Sequence, residues 1–342
     1  MLLLLSAAAS ADPVRLRIAT LAPDGSAWSR EMRAMSRDVL AQTNGNVELR
    51  WYFDGIGGDE EQVVERIAKG QLEGVGAGVV CTRLAPSLRI FRVPGMFGNW
   101  AESLYVMSRL RPRVAAELEA RGFVSLGEGG FGNDIVFSST PVTSLAQLQK
   151  GRFGYWNIDD VMREALPLAG MHAVPVRIAE ARAAFERGEI DGIITMPSPA
   201  LAFQFSSVTR YWSELPLAFM PACLLIARGA FDALSIDDQR VVRTAGAKFQ
   251  ARINDLGREQ DERLMGGLFE HQGLHKMPPS ELFRSEFFAM AQKIRADLDR
   301  NLVSPTLMEL VLRWLADYRA ENHSGVSSKS GPRQAVARSR RC

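Results

Sequence analysis

The sequence predicts an α/β protein of two lobes, each a mostly parallel sheet flanked by helices, with a long helical C-terminal region lying across both. Three observations carry this. The first part of the chain alternates strand and helix patterns in the order β-α-β-α-β, which favours a parallel sheet covered by helices. A second run of the same alternation follows a glycine-rich stretch. From Ser235 onward the pattern is almost wholly helical. The 342 residues suffice for two α/β lobes or one large domain.

Val14–Thr20 alternates apolar and polar residues and reads as a strand. Ala22-Pro23-Asp24-Gly25-Ser26 is a turn, with Ser26 or Asp24 able to cap a helix over Trp28–Gln42. A strand over Val47–Phe53 follows, then a helix over Asp59–Lys69 capped by Asp59 and stopped by Gly70. Leu72–Cys81 reads as a glycine-rich buried strand, and Glu102–Arg121 as a helix ended by Gly122. Phe123–Leu126 and Ile135–Ser138 read as two strands around Gly127–Gly132. The second lobe takes a helix over Leu145–Gln149, a strand over Arg152–Tyr155 and a helix over Asp159–Leu168. It continues with a strand over Val174–Val176, a helix over Ala179–Arg187 and a strand over Ile190–Thr195. Leu224–Ala227 can return to one of the sheets; helices then cover Asp237–Gln272, Pro279–Asn301 and Ser304–Tyr318. In chain limits, lobe 1 takes 12–132 and lobe 2 takes 133–204, with 205–255 shared and 236–320 spanning both.

Composition excludes several classes. Hydrophobic residues make up 46% and charged residues 23%, and the net charge is +2, so no global field draws the chain to nucleic acid or anionic lipid. Much of the basic excess sits in the last segment, and residues 321–342 read as a disordered basic tail. The opening MLLLLSAAASADP has the apolar core and small-residue cleavage site of a secretory signal over 1–11, without a positive n-region, and is too short for a membrane span. That predicts an exported protein. Cys81 and Cys223 lie in apolar runs and read as buried small hydrophobes; a bridge between them has no support from spacing.

No catalytic constellation is present. His271 and His275 are four apart, but Gly273 and Pro278 make a solvated helix end the better reading than a metal site. Gly74-x-Gly76-x-Gly78 has its third glycine one residue early for a dinucleotide loop and lies inside an apolar strand. There is no GxSxG elbow and no Walker loop. The acidic pairs Asp59-Glu60 and Asp159-Asp160 stand at helix starts, where carboxylates satisfy free N–H groups. No enzyme, cofactor or metal follows from these residues. Aromatic residues do gather at strand ends: Phe97, Tyr155, Trp156 and Phe219. In open α/β sheets ligands lie beyond the carboxyl ends of strands, in pockets that are mostly apolar with a few polar groups.

Six collinear segments resemble the DctP-type solute receptors of TRAP transporters. They are Ile18–Trp28 (IATLAPDGSAW), Gly57–Glu60 with Gly70–Gly74, Val93–Phe97 (VPGMF), Thr143–Gly151, Gly188–Gly192 with Pro197, and Phe231–Ser235. The resemblance implies a two-lobed periplasmic-binding-protein fold of type II, no catalysis, capture of a solute by lobe closure, and delivery to a pair of membrane permease subunits. It implies a cleft touched by Leu21, Ala22 and Trp28 of the opening segment, and by Thr195 or Met196 after the "DG" turn.

The departures bear on the ligand. The arginine that holds a carboxylate in this family falls at Gly154, between Arg152 and Trp156. A second basic position is occupied by Asn133 and Asp134. Since an arginine clamp supplies two charge-assisted hydrogen bonds, a simple dicarboxylate is disfavoured. Either the pocket takes a hydrophobic or neutral solute, or another cation replaces the clamp. Arg177 is the foremost candidate, with Arg83 and Arg152 behind it, and a solvated strand end is the plain alternative for Arg177. A second class of function is a protein-interaction module of the same fold, partnering a periplasmic helical-repeat helper without tight solute binding.

Overall fold

The computed structural model describes residues 12–327. The expected signal, 1–11, and the last part of the expected tail, 328–342, lie outside the described residues. The chain begins β1 (Val14–Thr20), α1 (Ala27–Gln42), β2 (Val47–Tyr52), α2 (Glu60–Ala68), β3 (Gly74–Ala77), α3 (Val79–Leu84), α4 (Trp100–Ala120) and β4 (Phe123–Ser138). It continues α5 (Leu145–Lys150), β5 (Arg152–Trp156), α6 (Asp160–Leu168), β6 (His172–Val176), α7 (Ala181–Glu186), β7 (Gly192–Thr195) and α8 (Pro197–Ala202). After β8 (Tyr211–Ser213), β9 (Ala218–Ala227) and α9 (Arg228–Asp232) come α10 (Ile236–Arg263), α11 (Phe269–His271), β10 (His275–Met277), α12 (Glu281–Asp297) and α13 (Pro305–Ser327).

Local chemistry sets the boundaries. Ser26 accepts from the Ser29 N–H and caps α1, and Asp59 and Gln62 form a reciprocal capping box on α2. Gly70, Gly122 and Gly188 end their helices with positive φ, where a side chain would strain the backbone.

The strand order is β2-β1-β3-β9-β4-β7-β5-β6, with β8 added to β4 and β10 to β8. β1 runs parallel to β2 and β3, and β5 runs parallel to β6 and β7. These are the two lobes. They are joined by the antiparallel pair β4–β9, whose register runs from Phe123↔Ala227 to Asp134↔Ala218. Across them lies α10, 28 residues and about 42 Å long, which packs on α1 and β4 and reaches α8 with its far end. Helix α12 packs on α5 and α6, and α13 on α4.

Three expectations are corrected. The stretch Phe123–Ser138 is one bulged strand, not two strands around a loop. Its glycines are there for close approach: a Cβ on Gly129 would lie 2.0 Å from Gln250 Nε2, and one on Gly130 would lie 2.0 Å from Phe219 Cζ. The strand over Leu72–Cys81 stops at Ala77, because the Glu60 carboxylate accepts from the Gly78 and Val80 N–H groups and turns the chain into α3. Cys81, on that helix, forms a disulfide with Cys223 on β9, with their Cα atoms 6.0 Å apart. The short elements α8, β8 and β10 have no counterpart in the periodicity, and α13 runs to Ser327, past the change in composition near Glu321.

Candidate functional site

The carboxyl ends of β1, β3, β5 and β7 face one another across the β4–β9 pair, and a cavity of about 80 Å³ lies between them. By the room one water needs, this holds roughly half a dozen waters, the scale of a small organic molecule. Met196, Met220, Phe131 and Trp156 line it as part of an apolar cluster completed behind them by Val79 and Ile158. Trp28 leans on Phe131 with ring centroids 5.8 Å apart, and Trp51, Phe203 and Phe249 complete an aromatic wall.

Few polar groups interrupt this surface. Thr20 and Thr195 stand at the ends of β1 and β7, and Gln250 projects from α10. Three charged residues line the cavity beside them: Glu60, Arg92 and Asp134. Arg92 is 2% exposed. Its Nη2 lies 2.6 Å from Asp134 Oδ2, an ion pair without the alignment of a hydrogen bond, and its Nε donates to Asp159 Oδ2 at 2.7 Å. Asp159 spends its other oxygen on the Met162 N–H and so also caps α6. Burial alone would lower the Arg92 pKa, but the attraction of Asp134 and Asp159 outweighs it and holds the guanidinium charged. Its Nη1 has no partner among the described residues, nor has Trp28 Nε1. Burial pushes the Glu60 carboxyl up to about 7, against the hydrogen bonds from Val80 and Gly78 that favour its charged form.

The cavity gathers Leu21, Ala22, Trp28, Asp134, Tyr155, Trp156, Thr195 and Met196 from the residues expected at the site. It does not gather the others. Phe97 is buried in the core, stacked on Phe91 at 5.0 Å. Phe219 is fully buried, edge-on to Trp100 at 5.2 Å, in the space left by Gly130. Gly154 faces Ile190 and Val176 within its sheet. Asn133 is half-buried outside the lining, with its Oδ1 unpartnered among the described residues. Arg177 is an exposed strand end, 3.5 Å from Asp59 and 3.6 Å from Glu180, so it does not stand in for the clamp. Arg152 pairs with Asp191 and Arg83 with Glu61 and Asp160, both on the surface.

Arg92 was missed. Its one visible signal is a lone charge inside the apolar run Ile90-Phe91-Arg92-Val93, which burial without a partner would forbid. Glu60 was read as part of a helix start, and it serves a different helix start from the one next to it. Among the described residues no cluster of histidine, cysteine and carboxylate side chains could hold a metal, and no helix is long and apolar enough to cross a membrane.

The model of bacterial extracellular solute-binding protein family 7 matches residues 18–301. A solute-binding protein of Chromohalobacter salexigens is 21% identical over 226 residues, 65% of this chain and 66% of its own length. The 2,3-diketo-L-gulonate-binding periplasmic protein YiaO of Escherichia coli is 23% identical over 238 residues, covering 68% of this chain and 72% of its own. The match thus spans just under two thirds of the first of these relatives. Among solved structures, a TRAP periplasmic solute-binding protein of Chromohalobacter salexigens with bound D-glucuronate superposes with a TM-score of 0.79 at 20% identity, over 88% of this chain and 99% of that one. A Haemophilus influenzae TRAP periplasmic solute-binding protein with bound L-gulonate gives 0.81 at 16% identity, over 88% and 98%. A Bordetella pertussis extracytoplasmic solute receptor binding pyroglutamic acid gives 0.78 at 19%, over 88% and 99%. With a family model covering most of its length and the two-lobed fold in place, this chain belongs to bacterial extracellular solute-binding protein family 7.

Proposed function

We propose that this protein is a periplasmic receptor that closes its lobes on a small solute and delivers it to a TRAP-type permease, and that the enclosed part of the solute is hydrophobic or neutral. One observation carries the ligand class. Among the described residues Arg92 is the one guanidinium on the cavity wall, it is already held by Asp134 and Asp159, and most of the remaining surface is aromatic, thioether and aliphatic. A carboxylate entering here would meet Asp134 and Glu60, while among the described residues the one cation on the wall, Arg92, already faces two carboxylates and keeps only its Nη1 without a partner. The relatives named above bind sugar acids and pyroglutamate, and this wall differs from what such a ligand needs. The Cys81–Cys223 bridge supports a periplasmic location, since disulfides persist in oxidising compartments. The sequence limits of 12–132 and 133–204 for the two lobes belong to the same proposal.

The test is native mass spectrometry of protein purified without denaturation, before and after unfolding and extraction. An apolar molecule carried through purification is the expected result. An empty protein that no acid or lipid of a broad panel stabilises against heat would overturn the receptor reading.

A further inference from the structure

A second cavity, of about 440 Å³, opens between the lobes on the outer side of Trp28. It is lined by Pro23 and Arg30 from lobe 1, Ser198 and Leu201 from α8, and Gln260 and Arg263 at the end of α10. Pro23 and Trp28 line both this space and the inner cavity, so one tryptophan ring and one proline form the partition. The two spaces differ in chemistry. The inner one is apolar with its cation neutralised. The outer one holds polar atoms without a hydrogen-bond partner among the described residues: Trp28 Nε1 in the partition itself, a donor suited to an anionic oxygen, and Gln260 Oε1, an acceptor that a hydroxyl of the solute would meet rather than its carboxylate. Arg263 is exposed, and its guanidinium makes no ion pair or hydrogen bond among the described residues. The neighbouring carboxylates are engaged, Asp261 among them by accepting from Ser198 Oγ at 3.1 Å, whereas Arg30 has one hydrogen bond but no ion pair among the described residues. Asp24 is held by Arg33 at 2.5 Å and by the Gly25 N–H, Arg30 donates to the Gly25 carbonyl at 2.7 Å, and Glu262 pairs with Arg258 at 3.0 Å.

We infer that this outer space is a head-group subsite, so that the solute is an extended amphiphile. Its apolar body fills the inner cavity, and an anionic, oxygen-bearing end passes Trp28 to meet Arg263. The inference rests on the receptor reading above and adds to it the placement of charge. An apolar tail gains from burial in the inner cavity, while a carboxylate kept outside avoids Asp134 and Glu60. A carboxylate also gains a charge-assisted hydrogen bond that a hydroxyl does not. Short carboxylates cannot use both spaces at once, whereas longer ones can.

The experiment is calorimetric titration of the full chain with straight-chain monocarboxylates from butanoate to dodecanoate and with the matching primary alcohols. In the wild-type protein, acids should bind about tenfold tighter than alcohols, and only above a threshold chain length. Arg263→Gln should abolish that preference and leave alcohol affinity unchanged; Arg263 is exposed, so the fold should survive the change. Raising the salt concentration should shrink the preference in the wild-type protein. If both series bind but the preference is absent, or persists in Arg263→Gln, the head-group subsite is wrong and the receptor reading stands. If neither series binds the wild-type protein, the apolar cleft fails and the subsite falls with it.

Discussion

Removing the Cys81–Cys223 bridge should cost more stability than any other conservative pair of changes in the cleft wall. The bridge joins residues 142 apart and ties α3 to β9. In the chain-entropy account, closing a loop of that length removes about 5 kcal/mol of freedom from the unfolded state at 25 °C. Cys81 is fully buried and Cys223 is 3% exposed, so alanine at both sites leaves small voids that add about 1 kcal/mol. The double variant Cys81→Ala/Cys223→Ala should therefore lose about 5–6 kcal/mol in urea unfolding followed by tryptophan fluorescence. The dependence on urea should also steepen, because the uncrosslinked chain exposes more surface when it unfolds. Adding reductant should move the wild-type curve toward the variant and leave the variant unchanged. A loss below about 1 kcal/mol, or a reductant effect on the variant, would refute the account.

Three further outcomes follow from buried groups. Burial raises Glu60 from 4.5 to about 7 and Asp261 from 3.8 to about 7, so the folded state retains protons that the unfolded chain has released. Their contribution to stability is fully present below the unfolded values near pH 4 and is lost as pH rises through 7. Asp261→Asn stays uncharged and should flatten that decline by about 4 kcal/mol between pH 4 and 8, as urea midpoints across the range would show; an unchanged slope would count against it. Arg92→Met leaves Asp134 and Asp159 buried without their cation and should cost about 3–5 kcal/mol in thermal unfolding, part of which Asp134→Asn and Asp159→Asn in the same chain should restore. Gly130→Ala drives a methyl group into the Phe219 ring and should cost about 1–3 kcal/mol; the loss should shrink when Phe219 is also Leu, and an additive loss would mean the two do not meet.

The sequence by itself determined what depends on near neighbours. Caps such as Ser26 and Asp59 and stops such as Gly70 and Gly122 act within a few residues, so they were legible without a structure. The six collinear segments sufficed for the family and for the two-lobed fold. At the cleft, Leu21, Ala22, Trp156, Thr195 and Met196 sit at the ends of strands or just beyond them, where alternation ceases and side chains turn to the ligand side, and Trp28 stands in the first turn of α1. Tertiary structure decided whatever depends on distant partners. Phe97 and Phe219 carry the same aromatic signal as Trp156, and only packing puts them in the core. The glycines of β4 looked like a loop because the reason for them, the side chains of Gln250 and Phe219, lies about a hundred residues further along the chain. Cys81 meets Cys223, and Arg92 meets Asp134 and Asp159, only once β4, β9 and α6 have come together. A charge or a thiol has no direction in a sequence. Its role here is set by what the sheet places within 3 Å of it.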